Sequence, residues 1–207
     1  MSPRNVEANQ FIRDERREQI LRAALKIFAA KGLKGTRISD IAAAAGISQG
    51  LIHHYYESKE QVYATIAERA MAGALQTLQQ APAENLSPWQ RLTVICEKML
   101  QGLTIYPEYL LVIIQCLVQD DIPAETRPLV SNYGKSIFSS LVQLIRDGQA
   151  AQQVAAGDPE QLALIFIAAI QGLALTQFTR SIFTGADNPA PEGELPPTDV
   201  VLRLLKA

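Results

Sequence analysis

The chain has 207 residues, 48% apolar and 19% charged, and a mass of 22.7 kDa, which allows one large or two small domains with a real core and excludes a disordered tail protein. A net charge of −2 conceals an asymmetry: residues 1–60 hold ten Lys/Arg against seven Asp/Glu, and residues 61–207 hold nine against fourteen. A basic N-terminal part on an acidic body points one end of the molecule toward nucleic acid.

Helical spacing runs through the whole chain. No segment alternates with period two and no Asn-Gly or Asp-Gly turn joins strand-like runs, so the expected class is all-α. A first helix is expected from about Asp14 to Ala30, with Ile20, Ala24, Ile27 and Phe28 on its apolar face, and Gly32 stops it. Thr36 reads as the N-cap of a short helix, Arg37 to Ala44, which Gly46 ends. Ser48 caps the next, Gln49 to about Tyr55. Ser58-Lys59-Glu60-Gln61 reads as a capping box opening a long helix to about Gln80.

Ala81-Pro82 breaks the pattern and marks a joint. Ser87-Pro88-Trp89-Gln90 opens a helix with the stripe Leu92, Cys96, Met99 and Leu103, and Pro107 restarts the chain for a short helix through about Val118. Asp120-Asp121-Ile122-Pro123 reads as a loop. A long helix from about Pro123 or Arg127 to Ala151 follows. Asp158-Pro159-Glu160-Gln161 then opens another, to about Phe183. That helix holds the longest near-continuous apolar stretch, Leu162 to Leu175. Gln171 interrupts the stretch, which falls short of the roughly 18–20 residues that span a bilayer. Residues 185–197 read as loop, and a short helix from about Thr198 to Lys206 closes the chain. The N-terminus has no apolar run of a signal peptide, so the expected location is cytoplasmic, with no membrane partner. Cys96 and Cys116 lie in apolar runs without C-x-x-C spacing and read as buried thiols; a redox role for either stays open.

Two short helices around a glycine turn, with a third helix before them, make the helix-turn-helix pattern. The first short helix is nearly all Ala and Ile, so its neighbour can pack closely across it. The second carries polar and aromatic groups outward and suits the roughly 12 Å major groove. From Thr36 to Glu60 the chain reads Thr-Arg-Ile-Ser-Asp-Ile-Ala-Ala-Ala-Ala-Gly-Ile-Ser-Gln-Gly-Leu-Ile-His-His-Tyr-Tyr-Glu-Ser-Lys-Glu. This stretch resembles the DNA-binding domain of the tetracycline-repressor-like (TetR) regulators. Their pattern has Thr, then Ile-Ala, Ala-Gly-Val-Ser, an aromatic-His-aromatic-Phe run and Ser-Lys-Glu. Two positions depart: His53 stands where the family usually carries Tyr, and Leu51 where it often carries Thr.

The resemblance implies roles for individual residues. Thr36 holds a phosphate through its hydroxyl and backbone N–H, and Arg37 reaches a base or phosphate. Ser48 caps the recognition helix, while Gln49, Gly50 and Leu51 face base edges. His53 and His54 contact phosphate or thymine methyls, Lys59 pairs with a phosphate, and Tyr55 or Tyr56 packs back into the small domain. It also implies a DNA-binding domain over residues 1–60, connected by helix 58–80 to an effector-binding and dimerisation domain over residues 61–207. The expected partners are double-stranded DNA with a palindromic operator, a second copy of the chain, and an unidentified small-molecule effector.

In the second half, Trp89, Cys96, Met99, Leu103, Tyr106, Tyr109, Tyr133, Phe138 and Phe166 are candidates to line an effector pocket, with Gln115 and Gln171 as its polar groups. An acidic, apolar sensor favours neutral or cationic lipophilic compounds. The helix after Glu160 is apolar nearly all round and needs cover on two sides. Leu162, Ala169, Gly172, Leu173 and Thr176 are candidate dimer residues, joined by Val201 and Leu205 of the final helix. Gly46-Ile47-Ser48-Gln49-Gly50 fits the hydrolase signature G-x-S-x-G, but that motif needs a strand before the serine, and an Ala-rich helix stands there. No metal-ligand spacing and no phosphate-cradling glycine loop occurs, so neither metal nor cofactor is expected. The leading expectation is a ligand-released repressor. An activator or effector-independent regulator is the alternative, and a helical interaction protein or enzyme the remote one.

Overall fold

The computed structural model describes residues 3–80, 86–119, 122–184 and 195–207. The Ala81-Pro82 joint, Asp120-Asp121 and most of the 185–197 loop lie outside the described residues. Among those described, nine helices follow in order: α1 (Pro3–Lys31), α2 (Ile38–Ala45), α3 (Gln49–Tyr55), α4 (Lys59–Gln79), α5 (Pro88–Ile105), α6 (Glu108–Val118), α7 (Thr126–Ala150), α8 (Pro159–Thr184) and α9 (Thr198–Leu202). The only β pairing among them is one antiparallel bridge between Val154 and Lys206.

Two expected bounds move. α1 begins at Pro3 rather than near Asp14, because residues 4–16 contain no Gly or Pro and are rich in Glu, Ala, Gln and Arg, which propagate a helix well. α9 ends at Leu202, short of Lys206, because the chain turns there to pair with Val154 and Ala155, whose N–H donates to Leu205 O at 2.9 Å. Caps explain several other ends. Ser87 Oγ accepts the Gln90 N–H and Gln90 Oε1 accepts the Ser87 N–H, the reciprocal box read from the sequence. At α4 the box is shifted: Ser58 Oγ accepts from Gln61, but Gln61 Oε1 takes the N–H of Glu57.

The apolar faces form two cores. The first gathers Ile20, Ala24 and Phe28 of α1, Ile41 of α2, Ile52 of α3 and Val62, Tyr63, Ile66 and Met71 of α4. It also takes Val112 and Cys116 of α6, Ile122, and Val130 of α7. The Phe28 and Tyr63 rings meet edge to face at 5.1 Å. This core therefore takes residues from both sides of position 60. The second core joins Leu92, Ile95 and Cys96 of α5 to Leu141, Leu144 and Ile145 of α7, Ala163, Phe166, Ile170 and Ala174 of α8, and Val201, Leu202 and Leu205 near the C-terminus.

α8 uses one face for that core. Leu164, Ile165, Leu175 and Phe178 on other faces are 43–56% exposed. The stretch Pro159–Thr179 is long and apolar enough to cross a membrane by length and composition, which corrects the expectation of a too-short run. Leu162 to Leu175 alone is too short; the polar turns on either side, with Glu160 as the single charge, bring the stretch to the needed length. Val201 and Leu205, expected at a dimer surface, are buried in the second core. Their apolar side chains join that core within the same protomer, where α9 packs on α5. Leu162, Ala169 and Leu173 are half-buried against that core, and Gly172 and Thr176 are exposed.

Candidate nucleic-acid interface

α2 ends where Gly46 takes φ +65°, a left-handed conformation that a side chain disfavours, and its N–H donates back to Ala42 and Ala43 carbonyls. Ile47 N–H donates to Ala42 O at 3.0 Å. From α1, Gln19 Nε2 donates to Ala45 O at 2.7 Å and satisfies a terminal carbonyl of α2. Ser48 Oγ then accepts the Leu51 N–H at 3.2 Å and starts α3. Ile52 is fully buried and Tyr56 is 2% exposed, with the Arg17 guanidinium 5.2 Å above its ring centre. These two anchors hold α3 from behind. Its outward face carries Ser48, Gln49, Gly50, His53 and His54, all exposed, and Leu51, half-buried. A Cβ built on Gly50 would meet nothing within 4 Å, so the helix presents bare backbone there.

The residues flanking this helix sit differently from expectation. Thr36 does not cap α2; Arg37 holds the N-cap position, and its backbone N–H donates to Asp40 Oδ2 at 3.2 Å. Thr36 is fully buried, its hydroxyl donates to Gly32 O at 2.7 Å, and its N–H donates to Leu33 O at 3.3 Å. Both donors assigned to a phosphate are thus spent inside the loop, which they fold back onto the end of α1. Lys59 is likewise turned inward: its ammonium donates to Leu33 O at 2.9 Å and Thr36 O at 2.8 Å. An ammonium has three donors, so one is left for an outside acceptor. Arg37 is exposed.

Several links escaped the sequence reading. Gln115 of α6 donates its amide to Phe28 O and Ala29 O, at 3.1 and 3.2 Å, and so ties the second half of the chain to the last turns of α1. Glu18 of α1 pairs with Arg69 of α4 at 2.5 Å. The hydrogen bond from Arg69 holds the Glu18 carboxyl below its ordinary value, against the opposing effect of partial burial. Tyr109 of α6 lies beside this pair. Burial pushes its phenol up, and the Glu18 charge adds to that. The Cys116 thiol donates to Tyr63 Oη at 3.4 Å. Such polar contacts span 51 to 87 residues and leave no local signature; a long-range Gln or Arg looks like any surface residue until the fold brings its partner close.

Among the described residues, the expected pocket residues take separate places. Cys96, Leu103 and Phe166 are core, and Trp89, Met99 and Phe138 pack around the second core. Tyr109 and Tyr133 pack on the first core, Tyr106 is 47% exposed, Gln115 serves α1, and Gln171 is half-buried on α8. An open cleft between α5 and α9, about 670 Å³, contains Trp89; clefts at α1–α2 and at α4–α5–α7 contain no expected pocket residue. Long apolar and aromatic side chains in these helices filled the interior instead. Burial raises the Cys116 thiol and pushes Cys96 up to about 11, so both are poor thiolates. No cluster of His, Cys, Asp and Glu suited to a metal ion occurs among the described residues.

Comparison with known proteins agrees with this geometry. The family model described as bacterial regulatory proteins, tetR family, matches residues 20–70, which run from α1 into α4. The HTH-type transcriptional repressor KstR2 of Mycolicibacterium smegmatis is 36% identical over 78 residues, 38% of this chain and 38% of that protein. The HTH-type transcriptional regulator BetI of Rhizobium meliloti is 29% identical over 168 residues, 80% of this chain and 79% of that protein. The chain thus spans well under half the length of the first of these relatives. Among solved structures, the MbdR regulator from Azoarcus sp. CIB superposes with a TM-score of 0.77 at 21% identity, over 91% of this chain and 96% of that one. AibR, solved in complex with isovaleryl coenzyme A and operator DNA, gives 0.69 at 19% identity, over 90% and 94%. With its helix-turn-helix built as described and matched by the family model, the N-terminal part of the chain, residues 20–70, carries the DNA-binding domain of the bacterial regulatory proteins of the tetR family.

Proposed function

We propose that this protein is a cytoplasmic transcription regulator, not an enzyme, whose α3 enters the major groove of DNA. One observation carries the reading: α3 presents Gln49, Gly50, His53 and His54 to solvent while Ile52 and Tyr56 lock its back. Glutamine reads base edges by paired hydrogen bonds, and the bare backbone at Gly50 permits close approach. Residues 1–60 form the DNA-binding part, and α4 connects it to the sensor and dimerisation part. Arg37, Ser48, Leu51 and the third donor of Lys59 complete the contact set. Thr36 acts behind it, shaping the loop that carries Arg37.

The regulator works as a homodimer on a two-fold operator. Support comes from α8, whose Leu164, Ile165, Ala168, Gly172, Leu175 and Thr176 leave an apolar stripe exposed. Water contact along such a stripe is unfavourable, and small residues allow a second helix close. Two half-sites about one helical turn apart then need two linked readers. A small effector releases the dimer from DNA, acting through α4 and α6, which both touch the first core. KstR2 is named a repressor, and the M. smegmatis regulator FasR, 30% identical over 93 residues, is named an activator; repression is the reading preferred here and activation the second. Selection of bound fragments from a genomic DNA pool, with the mass of the complex from ultracentrifugation, tests the whole. A two-fold site bound by two copies is expected. A sequence-indifferent monomer overturns it.

A further inference from the structure

Arg91 is the one arginine whose Nε is sealed from water with no hydrogen-bond partner among the described residues, and its guanidinium joins no ion pair there. Such an orphan donor is costly in a folded protein and asks for an explanation, strain, an ordered water or an ion among them. Arg91 sits in the first turns of α5, where the helix dipole also favours negative charge. It lines an open cleft of about 410 Å³ between the end of α4, the start of α5 and the middle of α7. Volumes of this size hold small molecules.

The other groups in the cleft suit an anion. Ser140, Gln143 and Gln79 offer hydroxyl and amide donors, whereas the Ser139 hydroxyl is spent on Ser136 O at 3.2 Å; the half-buried Ser140 hydroxyl makes no hydrogen bond among the described residues. Leu78 and Leu144, both 4% exposed, give an apolar base. One group opposes: Asp147 also lines the cleft. Its carboxylate accepts from Gln143 Nε2 at 2.8 Å and does not pair with Arg91. Among the described residues that line the cleft, Arg91 shares it with hydroxyl groups and forms no ion pair with Asp147, the one carboxylate there.

We propose that this cleft binds a small molecule through a carboxylate or phosphate group, with Arg91 as the charged anchor and Ser140 and Gln143 as supporting donors. The chemistry is the two-donor fork of a guanidinium on a planar or tetrahedral oxyanion. This departs from the neutral or cationic effector expected from composition. It deepens the ligand-responsive reading above by naming the effector's charged group, and rests on that reading only for its consequence at DNA. The cleft touches Leu78 and Gln79 at the far end of α4, roughly 30 Å along the helix from Lys59 at 1.5 Å per residue. An anion drawn between Arg91 and α7 changes how that end of α4 is held.

Titration of the DNA-free protein tests it, so a failure of binding is separate from a failure of DNA recognition. Inorganic phosphate and a series of straight-chain monocarboxylates are the probes, followed by calorimetry and by amide shifts. Saturable binding is expected, with Arg91→Gln weakening it about tenfold or more and Arg91→Lys less. Ser140→Ala should weaken it a few-fold. Asp147→Asn, which removes the opposing charge, should tighten it. Melting curves on each variant establish that it is folded. Phosphate and carboxylate competing for the same site decide which oxyanion is preferred. Equal affinity in parent and folded Arg91→Gln, or no saturable binding of any probe at millimolar concentration, overturns the proposal.

Discussion

The two ends of the molecule hold their helices together by different means. At the DNA-facing end, side chains reach from one helix to backbone carbonyls of other segments: Gln19 to Ala45 of α2, Lys59 to Leu33 and Thr36 of the α1–α2 loop, Gln115 to Phe28 and Ala29 of α1. At the other end, α5, α7, α8 and α9 meet chiefly through apolar surfaces, and Gln153 to the Trp89 N–H is a rare polar link between segments there. Hydrogen bonds fix direction and register, whereas apolar contacts tolerate sliding of packed helices. The arrangement suits the proposed division into a reader that keeps its shape on DNA and a ligand sensor that changes shape. α6 belongs to both, since Val112 and Cys116 sit in the first core while Leu110 packs on the second.

The largest effect should come from breaking the first core where both halves share it. Phe28→Ala removes the ring packed on Tyr63 and should cost about 3–5 kcal/mol, a large part of the roughly 5–15 kcal/mol that holds a domain folded. Because α6 and α7 contribute to that core, urea unfolding followed by α-helix content and by Trp89 fluorescence should shift as one transition. Two separated transitions, with the Trp89 signal unmoved, would show the ends to be independent.

Next comes the exposed stripe of α8. Gly172→Arg should leave the protomer intact, because a Cβ at Gly172 meets nothing within 4 Å. In a dimer the same change places an unpaired charge in a desolvated interface, at a cost of several kcal/mol. Sedimentation should then report monomers, with operator affinity falling in parallel. Dimers that persist in Gly172→Arg would put the interface on another face.

How much of this was legible beforehand depended on the range of the physics. Gly46, Ser48, Ser58 and Ser87 act on backbone groups within four residues, so the turn, the caps and the register of α3 could be read from spacing alone. Ile52 and Tyr56 behaved as their apolar area required. The role of Lys59 was not legible, because its carbonyl partners Thr36 and Leu33 lie 23 and 26 residues away; Thr36 bonds locally, to Gly32 O and Leu33 O, but as the fold of the α1–α2 loop rather than as the cap its spacing suggested. The aromatic residues of the second half are ambiguous for another reason: side chains such as Phe138 and Phe166 fill a core or line a cavity with the same composition, and only the packing distinguishes the two. Val201 and Leu205 show the same ambiguity between a surface shared with a partner and one closed within the protomer.

A smaller effect should follow from cutting the tie between α6 and α1. Gln115→Leu removes two amide bonds to helix-end carbonyls and should cost about 1 kcal/mol of stability. It should also speed amide exchange in the last turns of α1 and in α6 more than in α5 or α9. Uniform exchange rates would mean that Gln115 is not a tie. Smaller still, Glu18→Gln should cost only about 0.2–1 kcal/mol at neutral pH, because the pair with Arg69 is partly exposed and screened. The folded carboxyl lies below its ordinary 4.5. Its contribution is therefore present above that value and fades as pH falls through the folded one. The stability gap between parent and Glu18→Gln, measured by urea melts, should close in acid. A gap constant from pH 7 to pH 3 would rule the ion pair out as its source.

The central claim, that the outward face of α3 reads DNA sequence, is tested most directly by fluorescence anisotropy on a selected fragment and its scrambled counterpart, with parent and Gln49→Ala side by side. The account predicts that the parent prefers the selected fragment by about a thousandfold or more at physiological salt. Gln49→Ala, still folded, should lose about 1–3 kcal/mol on the selected fragment and almost nothing on the scrambled one. Equal binding of the two fragments by the parent, or an undiminished preference in Gln49→Ala, would contradict it.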